Sequence, residues 1–311
     1  MKQNHLITSY YLLILLALIW GLQFAFNSIA LQTISPEILA TSRVCIGAIT
    51  LCILLKLFEP SSKKNQKPKD KHKLSLSVVI RYTAIAFLET VIPMIAIAWG
   101  QQYVDSSITG ILMGTIPLFA VLLATIFIPS ERATLRTIFS IIIGFFGLII
   151  LLSPSISTSQ SNNLIAELAI LFGALCFASS LIIIRTMEQK SPLKLTRNVL
   201  LIAAVPLIIF TLLKEPQAYL TFTPISLVVV LILGIFPSGI AYLLYIQLIK
   251  RAGVTFTSFV NYLAPLVSAF AGVLFMGDHL YLSTLIALIL IIGAMLINNM
   301  PKFKFKLSKT H

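Results

Sequence analysis

Long apolar runs, separated by short breaks of polar residues, glycine and proline, cover most of the chain. A helix needs about 20 mostly apolar residues to cross a bilayer. Ten runs reach this length, at about 9–30, 36–58, 75–98, 105–128, 134–152, 163–185, 195–213, 222–247, 254–276 and 280–299. The pattern predicts an all-α polytopic membrane protein with ten transmembrane helices.

The composition agrees with this prediction. Hydrophobic residues make up 58% of the chain and charged residues only 11%, whereas soluble domains carry about 25% charged residues. The net charge of +13 comes largely from lysines in a loop at 59–74 and a tail at 300–311. Basic segments beside membrane spans indicate contacts with anionic lipid rather than with nucleic acid.

The basic residues also predict the orientation of the chain. Basic loops remain on the cytoplasmic side of a membrane. If the N-terminus is cytoplasmic, the outer loops carry a single basic residue, Lys214. We therefore expect both termini to be cytoplasmic and the membrane to be the bacterial inner (plasma) membrane.

The two halves of the chain resemble each other. The segment ALIWGLQF at 17–24 aligns with GALCFASS at 173–180, and a second aligned pair sets Pro117 on Pro265. Each half then holds five spans, as two domains at 9–152 and 163–299. Two tandem five-span units insert with opposite orientations, which makes an inverted repeat. Inverted repeats are typical of secondary transporters, whose substrate site lies near the bilayer midplane between the repeats.

Several segments resemble a known family. These are IWG at 19–21, PEILATSRVCIGAITL at 36–51, the stretch 92–124, Glu131, and more loosely YLAPLVSAFAGVLFMGDHL at 262–280. They resemble EamA-type domains of the drug/metabolite transporter superfamily. The usual Gly-Glu after the fourth and ninth spans reads Ser130-Glu131 and Gly277-Asp278 here.

The resemblance implies a transporter, commonly an exporter of amino acids, related compounds or drugs. It also implies a central cavity enclosed by spans one, three, four, six, eight and nine. It does not identify the substrate, because a fold does not fix the cargo. A channel or a lipid flippase on the same scaffold is the alternative function.

Polar residues and helix-breaking residues inside the spans supply the candidate cavity lining. Helical spacing places Trp20, Gln23 and Asn27 on one side of the first span. The full set of candidates is Trp20, Gln23, Asn27, Glu89, Pro93, Gly114, Pro117, Ser179, Tyr242, Asn261, Tyr262 and Pro265. The alternative role for the amides is interhelical hydrogen bonding, and the alternative role for Gly110-x-x-x-Gly114 is close helix packing. The alternative for the prolines is a simple kink in the helix.

Two charged residues, Arg43 and Glu89, lie well inside predicted spans. At 1.5 Å per helical residue they are roughly 10 and 15 Å from the outer ends of their spans. A charge there costs on the order of 3 kcal/mol or more, so a partner is expected. Three interpretations remain open. The two residues form a structural ion pair, Glu89 binds protons or a substrate amine, or Glu89 is protonated and hydrogen-bonded.

The sequence offers little for catalysis. All four histidines lie outside the predicted spans, and the three cysteines lack metal-ligand spacing. A Ser/His pair in adjacent spans and a glycine-rich phosphate loop are both missing from the sequence. We therefore predict a small-molecule substrate, no cofactor, no metal and no catalytic residue.

Overall fold

The computed structural model describes residues 2–58, 76–128, 134–157, 161–187, 191–215, 222–257 and 259–299. The predicted basic loop at 59–74 and basic tail at 300–311 lie outside these ranges. All regular structure within the ranges is helical.

Within these ranges, the first half contains seven α-helices and one π-helical segment. They are α1 Lys2–Leu31, α2 Pro36–Phe58, α3 Leu76–Ile85, the π-helical segment Ala86–Val91, α4 Ile92–Gly100, α5 Ser106–Met113, α6 Ile116–Phe127 and α7 Leu135–Ser157. The second half contains α8 Ser161–Arg185, α9 Pro192–Lys214, α10 Pro224–Ile235, the π-helical segment Phe236–Ile240, α11 Ala241–Thr257, α12 Val260–Ala271, the π-helical segment Gly272–Met276 and α13 Leu282–Asn299.

These elements confirm the predicted fold class. Within the described ranges, eight helical stretches are long and apolar enough to cross a membrane. Two shorter apolar helices, Val260–Met276 and Leu282–Ile297, occupy the positions of the ninth and tenth spans. The protein is therefore an all-α polytopic membrane protein, with five spans in each of two inverted repeats.

One predicted break is displaced. The sequence predicts a break at Lys250–Gly253, but α11 continues through these residues to Thr257. The helix tolerates this basic stretch because Lys250 and Arg251 are exposed, so that their side chains extend toward water. The turn between the eighth and ninth spans comes later, where the Phe259 N–H donates to the Phe256 carbonyl at 3.2 Å.

The helices of the two repeats interleave. Helix α1 packs against α12, α11 and α10, and α2 packs against α9 and α10. In the same way α4 and α6 pack against α8, while α7 and α13 form a peripheral pair. The central helices of each repeat therefore face the other repeat, which places any midplane site between the two.

Glycines allow α5 to approach α12 closely. A Cβ added at Gly110 would lie 2.0 Å from the Ser268 Oγ, and one at Gly114 would lie 2.6 Å from the Pro265 Cγ. The Gly110-x-x-x-Gly114 pattern thus serves helix packing at this interface.

This close approach leads to a testable difference between two glycine variants. Gly110→Ala should destabilise the protein by about 1–3 kcal/mol, because the added methyl overlaps Ser268. Gly293→Ala is the matched control, since a Cβ there would meet nothing within 4 Å. We expect this control to unfold at or above the wild-type temperature. Thermal unfolding in detergent measures both, and equal melting temperatures for the two variants would contradict the packing.

Prolines distort three spans, and each case has a local cause. Pro237 has no N–H to donate to the Leu233 carbonyl, and the Ser238 hydroxyl donates to that carbonyl instead, at 3.2 Å. The segment before Pro93 is π-helical, with the Ile92 N–H donating to the Phe87 carbonyl. The fourth span breaks between α5 and α6, just before Pro117.

The fourth proline behaves differently from the expectation. Pro265 lies inside the continuous helix α12, so this proline does not break the helix of its span. The ninth span is instead irregular at the turn at Phe259 and in the π-helical segment Gly272–Met276.

Candidate functional site

A polar face of α1 forms one wall of the site. Trp20, Gln23 and Asn27 follow one another at intervals of three and four residues, which place them on the same side of the helix. The Gln23 side-chain amide donates to the Trp20 carbonyl at 3.0 Å. This bond fixes the orientation of the amide and directs the Gln23 Oε1 away from its own helix.

The guanidinium of Arg43, on α2, binds this polar face. The Arg43 Nη1 donates to the Asn27 Oδ1 and the Arg43 Nη2 donates to the Gln23 Oε1, both at 2.8 Å. The side chain is only 5% exposed. The Arg43 Nε is buried and has no hydrogen-bond partner among the residues that the structure describes. The site therefore holds a buried cation that is bound to neutral amides.

Gln101 supports this arrangement from the end of α4. The Asn27 Nδ2 donates to the Gln101 Oε1 at 2.7 Å, and the Gln101 Nε2 donates to the Phe24 carbonyl at 3.0 Å. Because Asn27 donates to Gln101, its oxygen is directed toward Arg43. Gln101 is 6% exposed, and the sequence analysis missed it. The available signal was a glutamine directly after Trp99-Gly100, at the edge of an apolar run.

Aromatic rings from α1 and α11 form a second wall. The Trp20 ring lies 6.3 Å from the Tyr242 ring and 5.5 Å from the Tyr245 ring, measured between centroids. The Trp20 Nε1 donates to the Pro237 carbonyl at 3.4 Å. The π-helical segment Phe236–Ile240 thus supplies an acceptor that fixes the indole.

Glu89 lies on the π-helical segment Ala86–Val91 of the third span. Its side chain is partly exposed. Within the described part of the chain it forms no hydrogen bond and no ion pair. Tyr242 packs against the core cluster that contains Val44, Ala86 and Val91, next to Arg43 and Glu89 in the sequence of their helical elements. The Arg43–Glu89 ion pair, one of the three interpretations, is not formed, since Arg43 binds the amides of α1 instead.

The remaining polar candidates have other hydrogen-bond partners or are exposed. The Tyr262 hydroxyl donates to the Met295 carbonyl of α13 at 3.0 Å, and the Ser179 hydroxyl donates to Leu175 in its own helix at 2.8 Å. Asn261 is exposed and Pro117 is partly exposed.

Three other candidates take part in helix packing. Gly114 contacts Pro265 across the α5–α12 interface, and Pro93 lies against Gly173 of α8. The structure therefore groups Trp20, Gln23, Asn27, Arg43 and Tyr242. The π-helical segment that carries Glu89 packs in the core cluster beside Tyr242.

The outer end of the site, as defined by the predicted orientation, carries a second polar cluster. The Asp278 Oδ2 accepts hydrogen bonds from the Ser106 hydroxyl and the Ser107 N–H, both at 2.9 Å. Partial burial raises the pKa of the nearby Asp105 carboxyl, and Asp278 raises that pKa further, whereas His279 lowers it. The two carboxylates therefore repel each other at the N-terminus of α5.

The chemistry of the site is that of binding. The described residues contain no group of three or more His, Cys, Asp or Glu side chains that could hold a metal ion. A guanidinium, an unpaired carboxylate and aromatic faces can hold a ligand that carries both an anionic and a cationic group.

Comparisons with known proteins agree with this architecture. The model of the EamA-like transporter family matches residues 7–153 and 164–300. The "Uncharacterized transporter YoaV" of Bacillus subtilis (strain 168) is 21% identical over 287 residues, covering 92% of this chain and 94% of that protein. "Protein PagO" of Salmonella typhimurium is 26% identical over 265 residues, covering 83% of this chain and 81% of that protein.

The fold also has a counterpart among solved structures. One crystal structure aligns with a TM-score of 0.64 at 17% identity, covering 93% of this chain and 96% of the other. That likeness supports the arrangement of the helices. The two family matches together span most of the chain, one for each five-helix repeat. The protein is an integral membrane protein and belongs to the EamA-like transporter family.

Proposed function

We propose that the protein is a secondary transporter that exports amino acids or closely related small compounds by alternating access between its two repeats. The observation that carries the proposal is that a buried Arg43, and a Glu89 without a hydrogen-bond partner among the described residues, lie on helical elements that pack in one core cluster beside Tyr242. Buried charges inside a membrane protein mark substrate or ion pathways. Here the two charges have opposite sign and do not neutralise each other directly.

Arg43 is the proposed site for the substrate carboxylate. A guanidinium recognises a carboxylate through several parallel N–H donors. The amides of Gln23 and Asn27 engage Nη2 and Nη1, which holds the guanidinium in place and leaves Nε–H for the substrate. Before substrate enters, these amides stabilise the cation.

Glu89 is the proposed site for the substrate amine, and for a proton when the substrate is absent. An ammonium group and a proton would then compete for one carboxylate, which is a simple way to couple export to proton entry. The π-helical segment around Glu89 contains a distorted backbone, and π-helical turns are frequent at functional sites. Trp20, Tyr242 and Tyr245 form an apolar wall beside which the substrate side chain packs.

The proposal includes a topology. The order of the spans in the sequence places five basic segments on the same side of the membrane, namely the basic loop, the basic tail and the loops after α6, α8 and α11. We place that side and both termini in the cytoplasm. We further propose the bacterial inner membrane as the location, with anionic lipid headgroups as contacts of the lysine-rich loop.

Transport assays with purified protein test the proposal. Proteoliposomes should take up or release radiolabelled amino acids in a saturable manner, and a proton gradient should change the rate. The panel should also include nucleobases and cationic drugs. Saturable transport of nucleobases or cationic drugs but not of amino acids would assign the protein a different substrate class. Transport of no compound in the panel, with or without a proton gradient, would contradict the proposal.

A further inference from the structure

The N-terminus of α5 is capped by a residue from the other repeat. Asp105 precedes the helix, but its side chain makes no capping hydrogen bond. Instead Asp278, from the loop after the ninth span, accepts from the Ser106 hydroxyl and from the Ser107 N–H. A carboxylate at this position also interacts favourably with the positive end of the helix dipole.

The backbone around Asp278 is shaped to hold its carboxylate against α5. Gly277 has a φ of 72°, a left-handed conformation that favours glycine. The Asp278 N–H donates to the Gly272 carbonyl at 3.1 Å. A Cβ added at Gly272 would lie 2.2 Å from the Asp278 Oδ2. Two glycines therefore provide the turn and the space that this one carboxylate needs.

Below Asp278, the first half of span four is held tightly to span nine. The Ser268 hydroxyl of α12 donates to the Ser106 carbonyl at 3.0 Å. Gly110 and Gly114 bring the two helices together along this stretch.

The second half of span four takes a different partner. Helix α6 packs mainly on α8 and α7, whereas α12 packs mainly on α1 and α5. Spans four and nine are thus closed together at the Asp278 end and lie farther apart toward the other end.

We propose that Asp278 is a latch that holds the two repeats closed at the outer end and releases when the transporter opens outward. The proposal rests on the proposed function for the alternation between two openings. Release is reversible because a freed carboxylate at the membrane surface is solvated by water, whereas the closed state gains two hydrogen bonds to one charged group. Loss of a charged hydrogen bond of this kind shifts an equilibrium by about tenfold.

Cysteine accessibility at the closed interface tests the latch. The reporter is Ser268→Cys, in a chain whose Cys45, Cys52 and Cys176 are replaced by alanine. A water-soluble maleimide should modify this buried position slowly in detergent-solubilised protein. Adding Asp278→Ala should raise the modification rate by about tenfold. Asp278→Asn keeps one acceptor without the charge, and should raise the rate by a smaller factor.

Two controls separate a latch from general loosening. Asp105→Ala removes a nearby carboxylate that makes no capping hydrogen bond to α5. This substitution should leave the modification rate of Ser268→Cys at or below that of the reporter alone. Ser140→Cys reports on α7, where Ser140 is buried outside the interface between α5 and α12. The modification rate of this cysteine should not change when Asp278→Ala is added.

Three results would overturn the latch. They are an unchanged Ser268→Cys rate in the Asp278→Ala variant, an equal rise with Asp105→Ala, and a parallel rise at Ser140→Cys. If Asp278→Ala does not fold, the same comparisons with Asp278→Asn decide the matter. The readout needs no substrate, so a failure of the proposed amino acid transport would leave these rates unchanged and is distinguishable from a failure of the latch.

Discussion

Arg43→Ala should reduce the affinity for an amino acid substrate by about 100-fold or more, because it removes the buried cation that the proposal assigns to the carboxylate. Truncating one partner of a buried charge pair typically costs 2–5 kcal/mol or more, of which about 1.4 kcal/mol corresponds to each tenfold in affinity. The variant also leaves the Asn27 and Gln23 oxygens without their donor. Competition binding or the substrate dependence of transport in proteoliposomes measures the change.

Two further variants make the Arg43 result specific. Arg43→Lys keeps the charge but lacks the fork that reaches both amides, so we expect an intermediate loss. Arg81→Ala removes an exposed arginine at the start of the third span, and should leave the affinity near that of wild type. Wild-type affinity in the Arg43→Ala variant, or an equal loss with Arg81→Ala, would contradict the assignment.

Glu89→Gln should abolish the dependence of transport on the proton gradient and weaken substrate binding by about tenfold or more. The substitution preserves the size of the side chain but removes its charge, so neither an ammonium group nor a proton is held as before. Hydrogen bonds to charged groups are worth about 1.5–3 kcal/mol, which sets the tenfold figure. Initial rates measured over a pH series, with and without a gradient, provide the test.

The matched control for this variant is Glu215→Gln. Glu215 directly follows α9 and accepts a hydrogen bond from Ser35 at 2.9 Å, outside the proposed site. Its replacement should preserve the pH profile. If Glu89→Gln kept the wild-type rate and the wild-type pH profile, Glu89 would have no role in coupling.

The sequence predicts the fold well because the bilayer imposes a strict rule on length. Each span needs about 20 apolar residues, and the breaks between runs are marked by charge, proline or glycine. The displaced break at Lys250–Gly253 shows where the rule weakens. A short basic stretch without proline can end an apolar run and still remain helical, so hydropathy alone does not locate the turn.

The candidate site is harder to predict, because depth in the membrane says nothing about direction around a helix. Arg43 and Glu89 lie at similar predicted depths, which made an ion pair plausible. The side chain of Arg43 instead donates hydrogen bonds to Gln23 and Asn27. This arrangement depends on which faces of α1 and α2 lie against each other. Gln101 lies beyond the last apolar residue of its run. The sequence pattern predicts a loop at this position, but the side chain is buried in the folded protein.

A similar limit applies to Glu167. It lies four residues past the predicted start of the sixth span, near enough to the edge to suggest a surface position. In the structure it is 3% exposed. Its burial depends on how α8 is covered by helices from the other repeat, and that information is not local to the sequence around it.

The central claim is that one site holds both charged groups of a zwitterionic substrate. The most direct measurement compares three inhibitors of amino acid transport in proteoliposomes, namely leucine, leucine methyl ester and isoamylamine, which lacks the carboxylate. Leucine should inhibit at least about tenfold more strongly than either analogue, since a lost charged hydrogen bond is worth about that factor, and Arg43→Ala should remove the difference between leucine and the amine. Equal inhibition by all three compounds, or an unchanged difference in Arg43→Ala, would contradict the account.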